Sequence, residues 1–362
     1  MEEKEKQFVL KRFSEYYRKA SIEVPSVEQR EFGVGGFEKK IESRHMGFES
    51  NAALQNYLIK DTPLYISHSI AYYKFPKATP MENKGWGGGD LIFDLDVHAG
   101  LFLSKEEQEK VRSDAMRLVE DFLLSDFGVR RDSLKIVFSG NRGYHVHVRD
   151  PAYRMLEGDA RREISDYIAG KGLDYRSFFS SPEEDKWKTY GPREGDWGYR
   201  GRFYRMAVKL LEENPGAIHR RLLKPEEAAL LREGMRTGLW SKTSIKDIVD
   251  RMGVVAKMLP VQCIDVDTGV TIDTKRLIRV PNTLHGSTGL IAKELKSLDN
   301  FEPYRDAAAF GGEPIKIEAL QPIPAQEFLN STMEKLEKGE KKEVPLSYGM
   351  YLLLKGAVTL SS

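Results

Sequence analysis

Alternation with period two marks Leu91, Phe93, Leu95 and Val97 as one face of a predicted strand. Asp94 and Asp96 fall on the opposite face, roughly 7 Å apart along the strand. Helical spacing dominates elsewhere. Residues 5–20 put Phe8, Val9, Phe13, Tyr16 and Tyr17 on one side of an amphipathic helix. Ser104 and Glu107 match a capping box, and Val111, Ala115, Leu118, Val119 and Phe122 follow at helical spacing up to a stop at Gly128. Leu134 to Phe138 reads as a short buried strand. Asn141-Arg142-Gly143 turns the chain, and Tyr144 to Val148 returns as a strand. Strand, helix and hairpin in that order predict a mixed sheet with a helix packed on it.

The texture changes after Asp150-Pro151. Residues 159–170 look helical, and 180–200 are loop-like, rich in Gly, Pro and charge. From 205 to 258 the pattern is helical throughout, with breaks predicted at Asn214-Pro215-Gly216 and at Gly234. The chain therefore reads as α/β (α+β): a catalytic domain built from 1–204 and 259–362, interrupted by an all-helical subdomain at 205–258. Strand character resumes at Leu259 to Val266. A charged linker from Glu334 to Glu343 precedes a last apolar helix at 346–358.

Composition narrows the classes. With 362 residues and 40% hydrophobic content, the chain can bury a sizeable core. The formal charge of +1, from 56 basic and 55 acidic residues, neither requires nor excludes a nucleic-acid partner. One cysteine, Cys263, excludes an internal disulfide and a multi-cysteine zinc site. No stretch approaches about 18 apolar residues and the N-terminus is charged, so no transmembrane helix, no membrane association and a cytoplasmic location are expected.

Two acids side by side repel and call for a cation between them; magnesium or manganese fits, because hard cations prefer oxygen ligands. Plain solvent-facing acids are the bland alternative, and His98 on the same face reads as a bystander. The segment Ser139-Gly140-Asn141-Arg142-Gly143-Tyr144-His145-Val146-His147-Val148 joins a glycine turn to hydroxyl, guanidinium and imidazole donors. Such a set can cradle a phosphate, although an ordinary hairpin with polar tips has the same outline. A third constellation runs from Ile264 to Gly286. Asp265 and Asp267 share one predicted strand face. Asp273 reads as a helix N-cap for the run through Arg279, and Arg279 and His285 add donors.

Phe93-Asp94-Leu95-Asp96, the segment from Ser139 to Val148 and the block from Asp267 to His285 resemble, in order and spacing, the three motifs of the archaeo-eukaryotic DNA primase catalytic (small) subunit, archaeal type. The similarity runs over most of the chain and is weakest at 205–258. It implies a primase-type mixed-sheet core and template-directed synthesis of short primers on single-stranded DNA from nucleoside triphosphates. Asp94, Asp96 and Asp267 would be the metal carboxylates. Asp267 is preferred to Asp265 by its spacing from His285. The first two acids would bridge two Mg2+ or Mn2+ ions about 4 Å apart. Ser139, Arg142 and His145 match the triphosphate motif, Arg279 and His285 match further phosphate contacts, and Arg30 resembles a nucleotide contact near the N-terminus. Asn141 stands where eukaryotic members carry a second arginine. The cysteine-containing zinc knuckle common in the family has no counterpart at 98–104, so no structural zinc is expected. A large regulatory primase subunit is the expected partner in a heterodimer. A repair or lesion-bypass polymerase of the same superfamily, or a nucleic-acid-binding replication subunit without activity, are the alternatives.

Overall fold

A computed structural model describes residues 1–243 and 245–361. The chain forms two compact units. The first comprises 1–116, 130–162 and 267–362, and the second comprises 117–129 and 163–266. Residues 205–258, expected as a helical insertion, lie inside the second unit.

The first unit is α+β and contains two four-stranded sheets. In one, the order is Ser43–Met46, Phe32–Gly35, Tyr65–Ser69, Leu277–Arg279. In the other, Glu294–Leu295 and Leu134–Phe138 are followed by Tyr144–Val148 and then Leu91–Leu95. Every described strand pairing in these sheets is antiparallel, so the mixed sheet read from the sequence is corrected. The returning hairpin strand inserts between Leu91–Leu95 and Leu134–Phe138. The two strands joined by the helix Lys105–Arg117 therefore never pair with each other.

Leu91, Ile92, Phe93 and Leu95 are all buried, because helices and loops cover both faces of the strand. Ile92 packs with Ile70, Val270 and Ile278. The strand ends at Leu95, earlier than the alternation predicts, and Asp96 turns to accept a hydrogen bond from the Val97 N–H at 3.0 Å. The predicted capping box forms: Glu107 N–H donates to Ser104 Oγ, and Ser104 N–H donates to Glu107 Oε2. The helix Glu3–Tyr17 buries Val9, Phe13 and Tyr17 as its spacing predicts. Residues 334–343 are not all linker. Lys341–Pro345 pairs with Pro314–Ala319, and the last helix, Leu346–Leu354, is shorter than predicted.

The second unit is helical, with Gly198–Glu213 and Pro225–Thr237 as its longest helices. Its core packs Phe203, Phe179 and Trp240 together. Gly234 does not break the second helix. It permits close approach of the Leu239 carbonyl, which a Cβ there would meet at 2.8 Å. The helix ends instead at Gly238, where φ is +84°. The strand expected at Leu259 to Val266 is absent. A short 3-10 turn, Leu259–Gln262, takes its place, as Pro260 suits the first turn of a helix better than a sheet ladder. Among the described residues, no helix is long and apolar enough to cross a membrane.

Candidate active site

Two backbone features bring the acids together. Asp94 sits opposite His145 in the antiparallel register, with His145 Nε2 3.7 Å from Asp94 Oδ1. The Asp267 N–H donates to the Asp94 carbonyl oxygen at 3.0 Å, tying the third constellation to the acidic strand. Asp267 also caps the helix Thr268–Ile272, its Oδ1 accepting from the Val270 N–H at 3.2 Å. The cap is therefore Asp267 and not Asp273. Asp273 accepts from the Lys275 N–H in a turn, and Leu277–Arg279 is a strand.

Burial, then the charges of Asp96 and Asp267, push the Asp94 carboxyl up to about 7; Arg276 and Arg142 act in the opposite direction. The cluster thus holds more negative charge than its neighbours neutralise. Arg142 Nη2 lies 2.7 Å from Asp96 Oδ2. Among the described residues, no group of three or more His, Cys, Asp or Glu side chains is drawn together tightly enough to hold a metal. The donor set is carboxylate without thiolate, and its mutual repulsion fits a hard divalent cation.

Opposite the acids stands a wall of donors. Ser139 Oγ accepts from the Gly143 N–H at 3.2 Å and closes the turn. Gly140 adopts φ +81°, and a Cβ there would meet His285 Cβ at 2.8 Å. Thr288 Oγ1 donates to the Gly140 carbonyl at 2.6 Å. The turn is thereby held against the loop that carries His285. Burial and the Arg279 charge push His145 down to about 3, and burial with the same arginine holds His285 well below its ordinary range. Both imidazoles are neutral. His285 Nδ1 accepts from the Ser287 N–H at 3.2 Å, which assigns its proton to Nε2. Burial pushes Arg279 down to about 10. Its Nη1 is buried without a partner, as is Arg142 Nε. Its guanidinium lies 5.3 Å from the Tyr65 ring centroid, and His285 meets the same ring edge-on at 5.8 Å.

Asp94, Asp96, Asp267, Arg142, His145, Arg279 and His285 are therefore linked by direct bonds or felt charge, and Ser139 bonds the backbone on either side of Arg142. Arg30 is not among them. Arg30 is fully buried; its Nη2 pairs with Asp90 Oδ2 at 2.9 Å and its Nη1 donates to the Ile70 carbonyl at 2.6 Å. Its guanidinium also covers the Tyr72 ring at 3.7 Å. Asp90 immediately precedes the acidic strand, so Arg30 anchors that strand from behind. Arg30→Met should lower stability by about 2 kcal/mol, since it strands buried acceptors. Thermal melting checks this, and an unchanged midpoint would return Arg30 to the ligand-binding surface.

Asp265 is exposed and falls in the second unit; His98 is exposed as well. Sequence reasoning missed Arg276, whose charge acts on Asp94, and Tyr65, whose ring lies under Arg279. Arg276 stood in plain view, three residues before Arg279, but as one base among several.

Carboxylates, guanidinium groups and imidazoles are thus brought together beside an antiparallel sheet. Residues 93–297 match the family model described as DNA primase small subunit. The chain is 34% identical to the DNA primase small subunit PriS of Methanothrix thermoacetophila, over 98% of this chain and 99% of the relative. The corresponding protein of Methanococcoides burtonii is 32% identical over 99% of both chains. That of Thermoplasma acidophilum is 34% identical over 81% of this chain and 82% of its own. The chain belongs to the DNA primase small-subunit family.

Proposed function

We propose that the cluster described above is the nucleotidyl-transfer centre of a DNA primase catalytic subunit, which copies single-stranded DNA into short primers from nucleoside triphosphates. The observation that carries this assignment is the Asp267–Asp94 backbone bond, which sets a third carboxylate charge against Asp94. Asp94, Asp96 and Asp267 would hold Mg2+ or Mn2+. Bound there, the metal supplies Lewis-acid stabilisation of the phosphoryl oxygens and a more acidic 3′-hydroxyl. Arg142, Arg279 and the Nε2–H of His285 grip the triphosphate and place its α-phosphorus in line with the attacking oxygen. Because both imidazoles are neutral, the guanidinium groups carry the charge, and the histidines supply directed hydrogen bonds. The turn N–H groups beside Ser139 lie close to that wall. The small-subunit relatives support assembly with a large primase subunit, and DNA as the template.

Asp267→Asn should eliminate nucleotide addition while preserving the helix cap, since Asn caps nearly as well as Asp. Asp265→Asn should be mild. Product gels from an unprimed single-stranded template, with metal and nucleoside triphosphates, separate the two variants. A dead Asp265→Asn beside an active Asp267→Asn would shift the metal site by two residues.

A further inference from the structure

The helix Leu346–Leu354 is nearly all buried, and Tyr351 Oη fixes it by donating to the Leu101 carbonyl at 2.6 Å. Lys355 follows directly, at the helix C-terminus, where a cation is favoured. Its Nζ donates to Asn141 Oδ1 at 3.2 Å, across 214 residues of sequence, and lies 5.5 Å from the Tyr351 ring centroid. The ammonium is thus delivered to the same turn that presents Ser139 and Arg142, by an element that none of the three motifs includes.

Its neighbouring charges are one of each sign, Arg142 and Asp96. Burial and then Arg142 hold the Lys355 ammonium below its ordinary range, while Asp96, already bonded to Arg142, acts the other way. Lys355 and Arg279 both act on His285. Arg142 is bonded to Asp96, whereas among the described residues neither Arg279 nor Lys355 forms an ion pair, which leaves those two cations in local surplus. A partly desolvated surplus of that kind is complementary to a ligand bearing several negative charges.

We propose that Lys355 binds the triphosphate of the incoming nucleotide directly and that Asn141 positions its ammonium there; this rests on the reading of the surrounding wall as a triphosphate pocket. Asn141 acts through an acceptor oxygen, so it can hold the ammonium without neutralising it.

The test is calorimetric titration of the full chain, in Mg2+, with ATP or dATP (whichever the unaltered protein binds more tightly), with the matching monophosphate, and with a single-stranded oligonucleotide. Lys355→Met keeps the apolar stem over Tyr351 and removes the charge. Triphosphate affinity should fall about tenfold, monophosphate and oligonucleotide affinity should hold, and Lys355→Arg should restore most of the loss. Asn141→Ala should raise the nucleotide KM and leave kcat unchanged. Arg142→Ala is the reference. If it weakens triphosphate binding and Lys355→Met does not, the Lys355 assignment fails while the pocket stands. If neither weakens binding, the pocket itself is wrong. Loss of oligonucleotide affinity alone would place Lys355 on the template strand and overturn the proposal. Should Lys355→Met melt early, Lys355→Gln carries the same comparison.

Discussion

Asp94→Asn should abolish nucleotide addition and, in the same protein, raise the melting temperature when no divalent metal is present. The first effect follows from removing one of the three carboxylates proposed to form the transfer centre, and should reach about a thousandfold in kcat. The second follows from the cost of holding them together. Asp94 is pressed by burial and by the charges of Asp96 and Asp267 until its carboxyl titrates at about 7. An isosteric amide removes that repulsion and leaves the strand packing in place. The gain should be on the order of 1 kcal/mol at pH 8, where the parent carboxyl is ionised. Mg2+ should then stabilise the parent chain more than the variant, because only the parent retains the full charge cluster. A primer-synthesis assay reads the first effect, and differential scanning calorimetry with and without Mg2+ reads the other two. A variant that melts lower than the parent, with Mg2+ shifting both equally, would mean that Asp94 is a packing residue and that the cation binds elsewhere.

Arg279→Met should weaken triphosphate binding by roughly tenfold to a hundredfold, the equivalent of about 1.5–3 kcal/mol for a charge-assisted contact. Its melting temperature without nucleotide should be equal to that of the parent or higher. Arg279 is partly enclosed, with one nitrogen buried and unpartnered, and it rests on the face of Tyr65. A guanidinium kept in that state is held ready for an anion, at the expense of the free protein. Methionine of similar length can keep the contact with Tyr65 and relieve the unmet donor. Nucleotide titration and melting on the same sample check the pair. A variant that loses stability and retains its nucleotide affinity would make Arg279 a structural residue.

Much of this centre was legible because its signals are local. The alternation around Asp94, the Ser104 capping box and the glycine turn at 140–143 each fall within about ten residues, where backbone geometry alone decides the outcome. Asp273 shows the limit of such reading. It and Asp267 are both acids ahead of plausible helical runs, and only the bond from Asp267 to Asp94 decides which one caps. Gly234 carried the mark of a helix break, but its reason for being glycine is a neighbouring carbonyl brought in by the tertiary fold. Arg30 resembled a nucleotide contact near the N-terminus. Its partner is Asp90, sixty positions on, and nothing near residue 30 announces that pairing. Lys355 falls inside the apolar helix expected at 346–358, and nothing near it announces a partner at Asn141.

The turn at 140–142 draws its partners from remote sequence: Arg142 reaches 46 residues to Asp96, Gly140 accepts from Thr288 at a separation of 148, and Asn141 meets Lys355 at 214. Contacts of that span form late in folding, because long loops must close before any of them is made. During synthesis, a chain that has reached only residue 340 already carries every acidic and basic motif and still lacks one side of the wall. The contact between Lys355 and Asn141 therefore waits until the last helix has been made. A bound triphosphate should in turn protect segments far from the turn, including the C-terminal helix, against proteolytic cleavage, since releasing any one of them dismantles the place where the ligand sits.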